Sequence, residues 1–189
     1  MVNVISHRSN GIKRAIKTPV KVKNLLTGAE LDTMGLWDTG ATGSAITESA
    51  AKTLGLTIVS MTTVNGVHGP ETVPVYDAQL TLNNTNISIR ARVTEGKAQS
   101  FSQEGDADIL IGMDLITLGD FCISNFNGQT VMTFRFPSLA TIDYCQEVEL
   151  HNHCLKVHEL NVRKHLPDKC ACGSGKDYKN CHGKSLYHK

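Results

Sequence analysis

One short stretch of the chain, residues 35–46, constrains the fold more than any other, because it sets a single acid among small residues between two apolar segments. It reads Gly-Leu-Trp-Asp-Thr-Gly-Ala-Thr-Gly-Ser-Ala-Ile, and its acid is Asp38. A carboxylate in such a turn leaves the end of a buried strand, and the glycines let the backbone come close to a ligand. The stretch therefore predicts an acid on the floor of a cleft.

The segment around this turn, residues 17–136, holds many β-branched residues in short runs that Gly, Asn and Asp separate. Such runs are typical of strands, and we expect strands at residues 20–25, 28–37, 73–82, 87–93, 109–111 and 130–136. Asn83-Asn84 and Asn127-Gly128 predict hairpin turns, because Asn and Gly accept positive φ. The pattern favours a mainly β fold, such as a small closed barrel or a sandwich.

Helices occupy a smaller share of the predicted structure. Residues 47–55 predict a short helix with Thr47 as its N-cap and Gly55 at its end, and residues 114–118 predict one more helical turn. A longer helix is predicted from about residue 146, before a tail of Cys, Gly and Lys that cannot form a core unaided. We expect three parts: a main domain of residues 1–140, a helical linker of residues 141–167 and a tail of residues 168–189.

The charges of the chain nearly cancel, since it has 19 Lys and Arg residues and 18 Asp and Glu residues. No strong overall field would then attract nucleic acid or anionic lipid. The first 29 residues nevertheless contain six basic residues and no acid, at Arg8, Lys13, Arg14, Lys17, Lys21 and Lys23. We interpret these as a solvated face on the early strands, with a basic arm as the alternative.

The sequence indicates neither a membrane span nor a secretion signal. No apolar run approaches the roughly 18 residues of a span, and polar residues from Ser6 onward interrupt the apolar core that a signal peptide needs. We therefore expect a cytoplasmic protein whose six cysteines are reduced or bound to metal.

A second apolar strand that ends in glycine supports the Asp38 motif. Residues 107–115 read Ala-Asp-Ile-Leu-Ile-Gly-Met-Asp-Leu, with the glycine at Gly112. Together the two motifs resemble the retropepsin family of aspartic proteases, the retroviral-type enzymes and their cellular relatives. In that family an apolar-apolar-Gly strand, roughly 70 residues after an Asp-Thr/Ser-Gly-Ala loop, braces the loop. Ser44 and Ile46 also match the family pattern, and the resemblance implies a retropepsin-like closed β-barrel, the acid-protease fold.

The chemistry of that family explains why one such motif is sufficient. Peptide hydrolysis by carboxylates uses two of them that share one proton, one acting as base on a water and the other donating to the carbonyl oxygen; the aspartic proteases are the standard example. The chain has one Asp-Thr-Gly, and its other acids in apolar contexts lack the Gly-Ala loop: Asp32, Asp108, Asp114 and Asp120. The second Asp38 must then come from a second copy, in a homodimer. The alternative is that Asp38 is a turn or capping residue.

The resemblance also implies roles for residues near the acid. Thr39 would lock the two loops by reciprocal hydrogen bonds, and Gly40 would turn the backbone under the substrate. Residues 63–70 fall where the family has its flap, a hairpin that closes over substrate and excludes water. Substrate contacts are therefore expected from Ala41, Gly66, Val67, His68 and Gly69. His68 departs from the small or aliphatic residues of the family, and a solvent-exposed loop histidine is the alternative to a substrate contact there.

The tail carries the most specific motif of the chain. Residues 167–183 read Pro-Asp-Lys-Cys-Ala-Cys-Gly-Ser-Gly-Lys-Asp-Tyr-Lys-Asn-Cys-His-Gly, and three thiols with one imidazole form a set that suits tetrahedral zinc. The segment resembles the SEC-C motif, known from the C-terminus of the preprotein translocase motor and from other bacterial proteins. The resemblance implies a small zinc knuckle with ligands at Cys170, Cys172, Cys181 and His182. Four protein ligands make a structural zinc, and we expect no cofactor for catalysis.

The sequence leads to one expected function and two alternatives. We expect a homodimeric aspartic endopeptidase that acts on protein or peptide substrates, with a tail that recruits a substrate or a protein partner, and without nucleic acid or membrane as partner. One alternative is a dimerisation or peptide-binding module of the same fold without significant proteolysis. The other makes the tail a nucleic-acid adaptor. We interpret the polar helix residues His151, His153, Cys154 and His158 as exposed side chains rather than a second metal site.

Overall fold

Strands form most of the structure, a computed structural model that describes residues 1–66, 69–82, 86–97, 101, 106–163, 169–170 and 172–182. The chain divides into two compact units, residues 1–140 and residues 141–189. The described strands are β1 (Asn3–Asn10), β2 (Ile16–Lys23), β3 (Glu30–Trp37), β4 (Ala45–Thr47), β5 (Ile58–Gly66), β6 (Gly69–Leu82), β7 (Ser88–Gly96), β8 (Ile109–Ile111), β9 (Asp120–Ser124) and β10 (Gln129–Phe136). The prediction of a mainly β fold is confirmed.

The larger of the two sheets closes on itself. Its strands pair in the order β2-β3-β8-β4-β7-β6-β5, and β2 also pairs with β6. Six strands therefore form a closed circuit of pairings, as a barrel requires, and β5 is attached to its outer side through β6. Most pairs are antiparallel, but β8 runs parallel to β3 and β7 runs parallel to β4. A separate sheet of three strands has the order β1-β10-β9.

Side-chain alternation explains how this sheet encloses a core. In β2 the buried positions are every second residue, beginning at Ile16 and ending at Val22, as the period of a strand requires. Gly35 lets β3 approach that core closely, because a Cβ there would lie 2.7 Å from Val20 and 2.9 Å from Ile111. The Asp38 strand is therefore packed tightly against its neighbours just before it ends.

Trp37 connects the end of β3 with the three-stranded sheet. Its indole is 7% exposed, and its ring centroid lies 5.3 Å from that of Phe121 and 5.1 Å from that of Phe134. The indole N–H donates to Thr18 Oγ1 at 3.0 Å, so the buried polar atom is satisfied. Since Trp37 directly precedes Asp38, these contacts fix the strand end from which the acid leaves.

The predicted helices of the first unit are present. Helix α1 is Glu48–Thr53, and the Thr47 side chain caps it by accepting the Ala50 N–H. Gly55 follows with a φ of +62°, the left-handed conformation that commonly ends a helix. Helix α2 is Met113–Ile116, one residue earlier than predicted at its start.

The strand predictions are confirmed in part. All six predicted strands occur, residues 109–111 with the predicted ends and the other five with shifted ends, whereas β1, β4, β5 and β9 were not predicted. The Asn127-Gly128 turn is present, with φ of 52° and 71°, between β9 and β10. The predicted turn at Asn83-Asn84 lies outside the described residues.

Three of the six basic residues near the N-terminus, Lys17, Lys21 and Lys23, form ion pairs. Lys17 Nζ lies 2.7 Å from Asp106, and Lys23 Nζ lies 3.0 Å from Glu30. Lys21 contacts both Glu30 and Asp32. Exposed pairs of this kind contribute little stability, but they neutralise the local charge and favour a solvated face over a free basic arm.

The second unit contains a long helix and a short knuckle. Helix α3 is Tyr144–Arg163, beginning two residues before the predicted start. The 3-10 helix Tyr178–Asn180 lies in the knuckle. None of the described helices is long and apolar enough to cross a membrane.

Candidate active site and metal centre

The acid of the first motif lies in a loop at the surface of its unit. Asp38 leaves the end of β3, and its backbone N–H donates to the Ile111 carbonyl of β8 at 2.9 Å. The carboxylate Oδ1 accepts the Gly40 N–H at 2.8 Å. Asp38 and Ala41 are half-buried, while Thr39 and Gly40 are exposed. The loop therefore presents its carboxylate, its hydroxyl and its glycine backbone where a ligand or another chain can reach them.

A second loop runs beside the Asp38 loop and holds it. The N–H of Met113 donates to the Ala41 carbonyl at 2.8 Å, and the N–H of Asp114 donates to the Thr42 carbonyl at 3.1 Å. These bonds tie the chain after Asp38 to the start of α2. The brace that the sequence predicted at residues 109–112 is thus a set of backbone hydrogen bonds, and it continues into residues 113 and 114.

A buried serine completes the contact between the two loops. Ser44 Oγ donates to Asp114 Oδ1 at 2.7 Å and accepts the Gly112 N–H at 3.0 Å. Asp114 Oδ1 also accepts the Leu115 N–H at 3.0 Å. The sequence indicated Ser44 only as a match to a family pattern, and Asp114 only as an acid without a Gly-Ala loop.

Gly112 has no room for a side chain. A Cβ there would lie 2.5 Å from both the carbonyl carbon and the oxygen of Gly43, and 3.0 Å from the Ser44 amide nitrogen. Backbone atoms cannot move aside as the end of a flexible side chain can, so any larger residue at Gly112 would push the two loops apart.

We expect Gly112→Ala to lower the free energy of unfolding by about 2 kcal/mol or more, because of this overlap. Urea denaturation followed by tryptophan fluorescence measures the change. Gly43→Ala is the matched control, since among the described residues nothing lies within 4 Å of a Cβ at Gly43. Equal stability of the two variants would contradict the role given to Gly112.

The other acids near apolar segments are engaged within the first unit. Asp108 accepts the hydroxyl of Thr33 at 2.8 Å and that of Thr47 at 2.7 Å, joining β3 to the start of α1. Asp32 is exposed and pairs with Lys21. These carboxylates hold strands together or lie in surface ion pairs, unlike the acid of the glycine loop.

Asp120 is likewise held by its neighbours. It accepts the Ser138 hydroxyl, the Leu139 N–H at 3.0 Å and the Arg135 Nε–H at 2.7 Å. These contacts, the Ser138 hydroxyl first, lower the pKa of Asp120 to about 2. The carboxylate therefore stays ionised at neutral pH and serves the junction between β9 and the end of β10.

The predicted substrate-covering segment is the end of a hairpin. Strands β5 and β6 are antiparallel, with Asn65 opposite Pro70 and Gly66 opposite Gly69; Val67 and His68 lie outside the described residues. Strand β5 is mostly exposed along its length, and β6 becomes buried only from Val73 onward. The outer half of the hairpin therefore extends beyond the core.

Four side chains of the tail meet at one point. Cys172 Sγ lies 3.7 Å from Cys181 Sγ, and His182 Nδ1 lies 3.2 Å from Cys170 Sγ and 3.3 Å from Cys181 Sγ. The ligand atoms all lie within 4.8 Å of one another. A tetrahedral zinc with ordinary Zn–S and Zn–N bonds sets its ligand atoms about 3.5 to 3.8 Å apart. The donor set and its spacing therefore fit a structural zinc.

Turns of the knuckle bring these ligands together. Gly173 and Gly175 have φ of +79° and +71°, so the chain reverses after the first two cysteines. The N–H of Cys170 donates to the Lys176 carbonyl at 2.9 Å, and the N–H of Cys181 donates to the Tyr178 carbonyl at 3.0 Å. The second pair of ligands thus returns to the first.

The thiols of the knuckle have different surroundings. Ser174 Oγ lies 3.2 Å from Cys172 Sγ, and this hydrogen bond is the main reason that the pKa of Cys172 falls to about 6. Burial raises the pKa of the Cys170 thiol. The thiolate is the form that binds metal, and the lowered pKa of Cys172 favours that form.

Within the described residues, no second group of three metal-binding side chains comes together. His151 and His153 are exposed on α3, whereas Cys154 is buried. The sequence did not reveal one contact of this helix: the His153 ring lies against the ring of His182, with centroids 5.2 Å apart.

Comparison with known protein families gives two matches. A family model described as aspartyl protease matches residues 18–115, and the chain therefore belongs to the aspartyl protease family. The SEC-C motif matches residues 167–184. Both resemblances expected from the sequence are confirmed. A search of curated proteins found no match.

Several solved structures are similar to this chain. A retropepsin-like aspartic protease from Rickettsia conorii has 13% identity and a TM-score of 0.43, over 71% of this chain and 95% of that one. The protease of Simian Foamy Virus (mac) has 16% identity and a TM-score of 0.37, over 53% and 91%. EIAV protease, solved with the inhibitor HBY-793, has 19% identity and a TM-score of 0.36, over 56% and 88%.

Proposed function

We propose that the protein is a homodimeric aspartic endopeptidase of the retropepsin type, with Asp38 from each copy at one active site. One observation carries the proposal: in a member of the aspartyl protease family, an Asp-Thr-Gly-Ala loop at the surface is braced by β8 and the residues that follow it. This arrangement holds the acid firmly and leaves it accessible, which a catalytic group requires.

The reaction follows from two carboxylates that share one proton. One Asp38 carboxylate takes a proton from a bound water, which attacks the carbonyl carbon of the peptide, while the other donates its proton to the carbonyl oxygen. As the resulting intermediate collapses and the C–N bond breaks, the leaving amine takes the proton that the first carboxylate removed from water, and a hydroxyl of the intermediate returns a proton to the second carboxylate. Gly40 supports the process by directing its N–H to Asp38 Oδ1, which keeps the carboxylate oriented.

The proposed homodimer follows from the number of Asp-Thr-Gly motifs in the chain. Each chain supplies a single Asp-Thr-Gly, and the reaction needs two such acids. A two-fold axis beside the loop would bring the second carboxylate to the first. The exposed Thr39 hydroxyl would then be free to bind the partner's loop.

The substrate would lie as an extended peptide between the acid loop and the end of the β5–β6 hairpin. We propose contacts from Ala41 beside the acid, and from Gly66, Val67, His68 and Gly69 at the hairpin end. The exposure of the outer hairpin supports a segment that closes over substrate. Such closure excludes water other than the reacting one.

The tail would have a separate task. We propose a structural Zn²⁺ held by Cys170, Cys172, Cys181 and His182, in a segment that recruits a protein partner or a substrate. The division into residues 1–140, 141–167 and 168–189 remains a prediction. A cytoplasmic location belongs to the same proposal, in which the cysteines are reduced or bound to metal.

A peptide library derived from denatured protein tests this function. The full chain is incubated with the library across acidic and neutral pH, and mass spectrometry identifies new peptide ends. We expect new ends that depend on Asp38 and on protein concentration, since dilution dissociates a dimer. Binding of peptides without any new ends would instead support the non-proteolytic module.

A further inference from the structure

Helix α3 buries a narrow part of its surface. Of its described side chains, Cys154 and Val157 are buried, at 6% and 4% exposure, and the others are exposed. At about 100° per residue, His153, Cys154 and Val157 lie within one arc of roughly 100° on the helix. One side of α3 is therefore packed, and His153 lies at the edge of that side.

One residue of α3, His153, contacts the proposed metal centre. The rings of His153 and His182 make an edge contact, with centroids 5.2 Å apart and planes at 60°. His182 directs Nδ1 toward the sulfurs of Cys170 and Cys181, so the helix residue contacts a ring whose nitrogen faces the other ligands. Cys170, at 5% exposure, shows that this part of the knuckle is covered.

We propose that His153 is a positioning residue of the zinc centre, and that metal binding and packing of α3 are coupled. The proposal rests on the zinc site proposed above and extends it beyond the SEC-C match, which covers residues 167–184. A metal-binding histidine needs its ring orientation fixed from outside the ligand set. His153 provides that support from helix α3, which lies outside the residues that the motif covers.

The coupling has a reciprocal consequence. Metal holds His182 in the orientation that His153 contacts, and His153 in turn stabilises the metal-binding orientation, so each favours the other by the same free energy. Helix α3 has 20 residues, and in proteins most helical stability comes from tertiary packing rather than from intrinsic propensity. Zinc should therefore increase the helix content of the second unit as well as ordering the knuckle.

Zinc affinity of the full chain tests the proposal, measured by competition with a chromophoric chelator. We expect His153→Ala to weaken zinc binding by about 10-fold, and His151→Ala, an exposed histidine of the same helix, to leave the affinity within about two-fold of wild type. His153→Phe keeps an aromatic ring beside His182 and should recover most of the loss.

Two further readouts separate positioning from general stability. In the Co²⁺-substituted chain, His153→Ala should change the visible ligand-field bands that report the geometry of His182, and His151→Ala should not. Chelation should lower the helix signal in circular dichroism for wild type more than for His153→Ala. Equal affinity and equal Co²⁺ spectra in the two alanine variants would overturn the role proposed for His153, while leaving the proposed metal centre untouched. Failure of the wild-type chain to bind one zinc would contradict the metal centre itself, while leaving the peptidase proposal untouched.

Discussion

Replacement of Asp38 with Asn should lower the rate of peptide cleavage by roughly three orders of magnitude or more. An amide has nearly the shape of the carboxylate and can still accept the Gly40 N–H, but the two amides of the variant dimer can neither take a proton from water nor share one between them. Initial rates on a cleaved library peptide measure the loss. Gel filtration and circular dichroism should show an unchanged fold, because the carboxylate lies in a loop braced through backbone hydrogen bonds.

Asp32→Asn is the matched control for that variant. It removes the same charge from β3, the strand that leads into the Asp38 loop, but at an exposed position paired with Lys21. Surface changes of this kind alter stability by about 0.5 kcal/mol or less, so its cleavage rate should equal that of wild type. If Asp38→Asn cleaved as fast as Asp32→Asn, the proposed peptidase would be wrong.

Cys181→Ser should abolish tight zinc binding and unfold the knuckle. The thiol lies 3.7 Å from one ligand sulfur and 3.3 Å from the ligand nitrogen, and a hydroxyl is a poor substitute for a thiolate on zinc. A structural zinc site of this kind contributes an apparent binding free energy on the order of 10–16 kcal/mol. Metal analysis after dialysis should find about one zinc per wild-type chain and almost none in the variant.

Cys145→Ser controls for the loss of a thiol as such, because Cys145 is an exposed residue of α3 outside the ligand cluster. It should retain its zinc and resist limited proteolysis of the tail as wild type does. Cys181→Ser should still cleave short peptides at a rate within about two-fold of wild type, since a site filled by four protein ligands has no position for substrate. Parallel loss of zinc and peptide cleavage would contradict a purely structural metal.

The sequence indicated both proposed centres because each depends on a local motif. Asp38 with its following glycine, and the four ligands of the tail, lie in short segments whose residue types already limit the chemistry. The fold around Asp38 was predicted as mainly β, but β1 and β5 were missed. Polar residues interrupt the apolar pattern of β1, and β5 is mostly exposed, so neither has the buried alternation that identifies a strand.

Other features depend on contacts between distant segments. The requirement for Gly112 comes from the Gly43 carbonyl, and the bond between Ser44 and Asp114 joins residues 70 positions apart. The contact of His153 with His182 crosses from a helix to a knuckle. No local pattern encodes such pairs, because tertiary packing chooses them after the segments have formed.

The most direct test of the proposed active site is a subunit-mixing experiment. Wild-type and Asp38→Asn chains are unfolded together in varying proportions, refolded at fixed total concentration, and assayed for peptide cleavage. If each site needs Asp38 from both copies, activity should follow the square of the wild-type fraction. An equal mixture should then have about one quarter of the activity of the wild-type protein at the same total concentration. A linear dependence, with about one half remaining, would mean that one chain suffices and would contradict the shared active site.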